Sequence, residues 1–146
     1  MVKQACAVAL VAMTVYGVEA MEPVKSVVAS YLEIQVALTN DTIEGVRPAA
    51  QNIGQEAAKM GAAGAPIVKA AGAVAAAADL DAARAAFGPL SDAVIAAVKA
   101  DPAAHDVRRA YCPMAKASWL QKEEKIRNPY YGSSMLSCGE FQAIDK

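Results

Sequence analysis

Between residues 22 and 100 the apolar side chains return every three or four positions, broken at intervals by proline, glycine and aspartate. That spacing gathers them on one face of a helix, and the breaks divide the face into four lengths. Val24, Val27, Val28, Tyr31, Ile34 and Leu38 make the first stripe, over residues 22–39, with Pro23 suited to a first turn. Asn40 and Asp41 end it, and Asp41 with Glu44 resembles a capping box for the next helix. That second helix runs to about Met60 with Val46, Ala49, Ala50, Ile53, Ala57 and Met60 on its face. Pro48 within it lacks an N–H, so a kink or restart is expected there. Gly61 to Gly64 is a connector. Pro66 opens a third helix carrying Ile67, Val68, Ala71, Val74 and Ala78, weakened by Gly72. Asp79 reads as the N-cap of a fourth. There Leu80, Ala83, Phe87, Leu90, Val94 and Ala97 form a seam suited to bundle packing, and Gly88-Pro89 should bend it. Asp101-Pro102 closes the helical part.

These four stripes predict an all-α fold, a four-helix up-down bundle with short turns, and residues 103–146 as an irregular segment packed on it. A chain of 146 residues points to one domain. Alanine supplies much of the apolar content. Small side chains let helices approach closely, so the Ala-rich stretch reads as packing surface. The formal net charge of −1 gives no reason to expect a nucleic acid or an anionic membrane surface as partner.

Residues 1–20 read as a signal peptide. Lys3 is a minimal basic start, Ala5 to Val15 is an apolar run too short to span a bilayer, and Val18-Glu19-Ala20 ends in small residues. Cleavage after Ala20 would remove Cys6 and leave residues 21–146 as a single helical, metal-binding-like domain in the periplasm. An uncleaved membrane anchor is the alternative.

The chemistry is concentrated in Tyr111 to Glu140, which holds the two remaining cysteines, the only Trp and three tyrosines. Pro113 pushes Cys112 toward extended geometry. In an extended chain i and i+2 share a side, so Cys112 and Met114 are expected to point together. Met135 and Cys138 are three apart and share a face if that stretch makes a helical turn. Should the two segments meet, two thiols and two thioethers converge, and soft ligands of that kind select Cu(I) over hard cations. The other reading of the same residues is a Cys112–Cys138 disulfide, with the methionines as filler. His105, the only histidine, is a secondary ligand candidate, or simply an exposed residue at a helix end. Trp119 reads as a core anchor whose N–H needs a partner. Asn128-Pro129 and Gly132 are turn signals.

The run Tyr-Cys-Pro-Met-Ala, then Trp-Leu, then Ile-Arg-Asn-Pro-Tyr-Tyr-Gly, then Met-Leu-Ser-Cys-Gly-Glu resembles a bacterial domain-of-unknown-function family. That domain occurs alone or attached to periplasmic adaptor subunits of copper/silver efflux systems. The likeness extends upstream to Tyr31, Ala37, Leu38 and the segment Arg84, Phe87, Leu90, Ser91. It implies heavy-metal handling, with copper as the cargo and an efflux adaptor or another copper protein as partner.

There is no Gly-rich phosphate loop, no His-Glu-x-x-His, no G-x-S-x-G and no CxxC. Glu123 and Glu124 sit between Lys122 and Lys125, a cluster that reads as a solvated turn. With one histidine and no nucleophile–base pair, the expectation is a non-catalytic protein. It either binds Cu(I) through Cys112, Met114, Met135 and Cys138, or serves as a structural or interaction module closed by a Cys112–Cys138 disulfide.

Overall fold

The computed structural model describes residues 21–101 and 106–145. The leader assigned to residues 1–20 and the candidate ligand His105 lie outside the described residues.

Four helices follow the four apolar stripes: α1 (Met21–Thr39), α2 (Val46–Ala58), α3 (Ala65–Ala75) and α4 (Leu80–Ala100). Their connectors are short, so each packs on the next in sequence, and α4 closes against α1. Val27, Tyr31, Ile34 and Leu38 of α1 are buried, as are Ile53 of α2, Ile67 of α3 and Phe87, Leu90 and Val94 of α4. Asp79 caps α4, its carboxylate accepting the Ala82 N–H at 2.8 Å. None of the helices is long and apolar enough to cross a membrane.

The entry into α2 differs from the expected capping box. Asp41 adopts a left-handed φ of 57° and turns toward Arg84. The Thr42 hydroxyl accepts the Glu44 N–H at 3.0 Å instead. Gly45, at φ 77°, then makes the left-handed turn into Val46. Pro48 is thus the third residue of α2, where a backbone N–H would have no helical partner in any case. It starts the helix without interrupting it.

The larger correction concerns fold class. The chain is α+β, not all-α, because the C-terminal segment is not irregular. It forms β1 (Arg108–Cys112), β2 (Ala117–Gln121) and β3 (Glu140–Gln142) in one antiparallel sheet of order β2-β1-β3. Ala110 pairs with Trp119 on one side and Phe141 on the other, and Tyr111 with Ser118 and Glu140. Ser118, Trp119, Leu120 and Gln121 of β2 are all buried. With both faces covered, β2 lacks the apolar–polar alternation that marks a half-exposed strand.

The sheet lies with β2 against α4 and α1. An aromatic column joins the two layers. Tyr31 stacks on Phe87 with centroids 4.9 Å apart, Phe87 meets Tyr130 at 5.8 Å, and Trp119 and Tyr130 meet nearly perpendicular at 6.0 Å. Such pairs add to the area they bury. The hydroxyls of the column are satisfied as well. The Tyr31 hydroxyl contacts Ser91 Oγ at 2.7 Å and accepts the Leu120 N–H at 3.1 Å. The Tyr130 hydroxyl donates to the Ser118 carbonyl at 2.6 Å. Burial raises both phenols above their ordinary range, so they remain neutral partners in this seam.

Candidate functional site

Two polar side chains hold the C-terminal segment in place. Gln121, at the end of β2, is fully buried. Its amide nitrogen donates to the Glu123 and Lys125 carbonyls at 3.0 and 2.7 Å. Its oxygen accepts the Trp119 Nε1–H at 2.9 Å and the Arg127 N–H at 3.0 Å. This supplies the partner that the Trp119 indole requires, and it fixes the turn that leaves the sheet. Asn128 is also fully buried. Its oxygen accepts from the Tyr130 N–H at 2.8 Å, an Asx-type turn, while its nitrogen donates to the Cys138 carbonyl at 2.9 Å. The Asn128 backbone N–H reaches the Leu136 carbonyl at 2.8 Å. Asn128 therefore ties the start of the loop to its end and brings Cys138 back over β1.

Gly139 lets the chain pass there. At φ 137° it occupies a region that side-chain-bearing residues avoid. A Cβ would lie 2.8 Å from Trp119 Cη2 and 2.9 Å from the Tyr111 carbonyl. The backbone after Cys138 thus runs directly over the Trp119 ring and beside β1.

The result is a meeting of two thiols. Cys112 is the last residue of β1 and is fully buried, and Cys138 is half-buried before β3. Both are free, and their Sγ atoms lie 2.7 Å apart across 26 residues of chain. That exceeds the ~2.05 Å of a covalent S–S bond. Burial opposes ionisation of Cys112. The Cys138 thiol, the Ala115 and Met114 N–H groups and the Asn128 amide outweigh it, so the Cys112 thiol is shifted below its ordinary value. Cys138 is shifted upward, first by its hydrogen bond to Cys112, then by burial and by the Cys112 charge. Cys112 is therefore the more readily ionised of the two thiols.

The methionines take other positions. The strand ends at Cys112 and residues 113–116 form the β1–β2 turn, with Lys116 at φ 51°. The i, i+2 rule for extended chain thus stops applying at Pro113, and the Met114 side chain is 62% exposed while Cys112 is sealed. Met135 follows a short 3-10 turn, Gly132–Ser134, with extended φ, and is 36% exposed. The structure brings Cys112 and Cys138 together and leaves both thioethers toward solvent. The Ala115 backbone N–H, in the same turn as Met114, donates to the Cys112 sulfur at 3.5 Å. Among the described residues, no group of three or more His, Cys, Asp or Glu side chains is arranged to hold a metal ion.

Sequence reasoning passed over Gln121, Asn128 as a clamp, and Gly139. Asn-Pro announced a turn, but nothing local says that the amide reaches ten residues on to the Cys138 carbonyl. No family model, curated protein or solved structure matches the chain.

Proposed function

We propose that this is an exported protein that binds a soft metal ion, Cu(I) above all, through the reduced Cys112–Cys138 pair, and buffers copper or passes it to an efflux adaptor or another copper protein. No reaction is assigned to it. The observation that carries the reading is the convergence of two free thiols from distant parts of the chain to 2.7 Å. Thiolate ligands favour soft cations, and Cys112, the more readily ionised of the pair, supplies the first of them. A metal bound by thiolates sits about 2.3 Å from each sulfur, the value for Zn–S. The sulfurs must therefore separate to admit it, and Cys138, half-buried and lining a cavity, is the member of the pair with room to move. Met114, two residues after Cys112, and Met135, three before Cys138, are exposed and are the proposed sources of a thioether.

The resemblance to the efflux-associated domain agrees with this reading. Several upstream residues that carry it touch the C-terminal segment: Tyr31 bonds Leu120, Ser91 and Phe87 meet Tyr130, and Arg84 bonds the Pro129 carbonyl.

The sulfur contact also favours a second reading, in which the pair closes as a disulfide and the protein is a non-catalytic structural or interaction module. The two readings can be two redox states of one site. Anaerobic Cu(I) titration of reduced protein against a competing chelator tests the first. Wild type should bind one equivalent, and Cys112→Ser and Cys138→Ser should each lose most of the affinity. Met114→Leu and Met135→Leu should weaken it less, and His105→Ala should change little. If reduced wild type binds no better than the double Cys→Ser variant, metal binding is excluded and the structural disulfide stands.

A further inference from the structure

The two thiols differ in access. Cys112 is fully buried. Cys138 is half-buried and lines a cavity of about 230 Å³ together with Tyr111, Pro113, Gly139 and Glu140. Cys112 does not reach that wall. The cavity opens where β1 pairs with β3, at Tyr111 and Glu140. Pro113 and Gly139 shape its sides, and among the described residues Glu140 is the one charged residue lining it. A reagent entering from solvent thus meets Cys138 before Cys112, whose sulfur lies 2.7 Å from that of Cys138.

We infer that Cys138 is a site of thiol–disulfide exchange with small aliphatic disulfides, and that Cys112 is the buried sulfur that resolves the adduct and closes the Cys112–Cys138 bond. The inference rests on the same free thiol pair as the metal reading, but it concerns covalent chemistry in metal-free protein.

The steps balance with the small disulfide as oxidant. Cys138 is the less readily ionised thiol, but it is the one within reach: it loses its proton to solvent, and its sulfur attacks one sulfur of the incoming disulfide. The S–S bond of the reagent breaks, and the departing thiolate takes up a proton. Cys138 now carries a mixed disulfide that projects into the cavity. Cys112 then gives up its proton and attacks the Cys138 sulfur from the buried side, and the second half of the reagent leaves as a thiol. Two electrons pass from the protein to the reagent, which ends as two thiols. The order follows from the packing: attack at Cys112 first would require a reagent to displace Cys138 and enter a space already filled.

The order has a consequence for metal exchange. A donor that delivers its ion by ligand exchange would engage Cys138 before Cys112, so a small-molecule adduct on Cys138 would block loading without altering the buried ligand.

The test uses reduced, metal-free protein and cystamine, a cationic disulfide suited to the Glu140 wall. Cys112 and Cys138 fall in different tryptic peptides, divided by Lys116 and Arg127. Peptide mass spectrometry after acid quenching therefore reads each separately, and separately from Cys6. In Cys112→Ser the adduct on Cys138 should accumulate and persist. In Cys138→Ser the adduct on Cys112 should form roughly tenfold more slowly or not at all. Wild type should pass through a transient Cys138 adduct to the internal disulfide. A brief pulse of N-ethylmaleimide on unmutated protein gives a measurement independent of any variant's folding, and it should label Cys138 ahead of Cys112. Equal or faster modification of Cys112, in either experiment, overturns the proposal. Neither readout involves metal, so failure here leaves the copper titration to be judged by itself.

Discussion

Arg84 Nη2 of α4 lies 2.6 Å from Asp41 Oδ1, in the turn that follows α1. The same guanidinium donates to the Leu38 carbonyl at 2.9 Å and, through Nε, to the Pro129 carbonyl at 2.9 Å. One half-buried cation therefore pins the end of a helix, the turn beyond it and the loop that leads to the sulfur pair. Ser133 completes the arrangement by giving its N–H to Asp41 at 3.2 Å.

The Asp41 carboxyl is lowered from 3.8 to about 2, first by its hydrogen bond with the Ser133 side chain, then by Arg84 and the Ser133 N–H. A carboxyl whose folded value is depressed stabilises the fold above its unfolded value, and that contribution is lost as the pH falls through the folded one. Wild type should therefore lose stability as the pH drops from 3.8 toward about 2. Asp41→Asn should be less stable at neutral pH and flatter across that acid range. Denaturant midpoints at a series of pH values check it; parallel curves would show that Asp41 gains nothing from its partners.

Phe87 is fully buried between Tyr31 and Tyr130. Phe87→Ala should cost roughly 3–5 kcal/mol in denaturant unfolding, from lost burial plus the cavity left behind. A change of a few tenths would contradict the aromatic column. Exposed Lys122 and Lys125, by contrast, should tolerate alanine with little effect.

Tyr31→Phe keeps the ring and removes the oxygen that accepts the Leu120 N–H. A buried donor left without a partner costs about 1–3 kcal/mol. The loss should fall on the join between α1 and β2, so hydrogen exchange of the Leu120 amide should rise more than that of amides in α2 or α3.

Gly139→Ala forces a side chain into a glycine-only conformation and against the Trp119 ring. The strain should cost about 1–3 kcal/mol. Because the displaced backbone carries Cys138, the rate of closure of the internal disulfide should fall as well. Unfolding and timed thiol trapping report the two effects; a variant unchanged in both would mean that the segment after Cys138 does not lie over Trp119.

Closing the Cys112–Cys138 bond shortens the unfolded chain's freedom by a loop of 26 residues. By the chain-entropy account this stabilises the oxidised protein by roughly 3–4 kcal/mol over the reduced form. Reduced protein should still fold, since Gln121 and Asn128 hold the segment by hydrogen bonds that do not depend on the sulfurs. Thermal unfolding with and without reductant measures the difference; a reduced chain without a folded baseline would refute it.

The sequence by itself determined the helices, because a helix satisfies its backbone within four residues and displays its buried face as a local period. The stripes from Val24 to Val94, the cap at Asp79 and the burial of Phe87 are legible on that basis, as is the concentration of thiols and aromatics after Tyr111. The sheet is different. β1 and β3 find their partners across an intervening loop, β3 is only three residues long, and β2 is covered on both faces, so no local period marks it. Whether Cys112 meets Cys138 depends on that non-local pairing, on Asn128 reaching ten residues forward and on Gly139 clearing the Trp119 ring. Tertiary packing likewise turned Asp41 from an expected helix cap into the partner of Arg84, a residue 43 positions away whose charge no local pattern could assign to it. Strand register and side-chain clamps are settled by contacts between residues distant in the chain, which no local stretch of sequence displays.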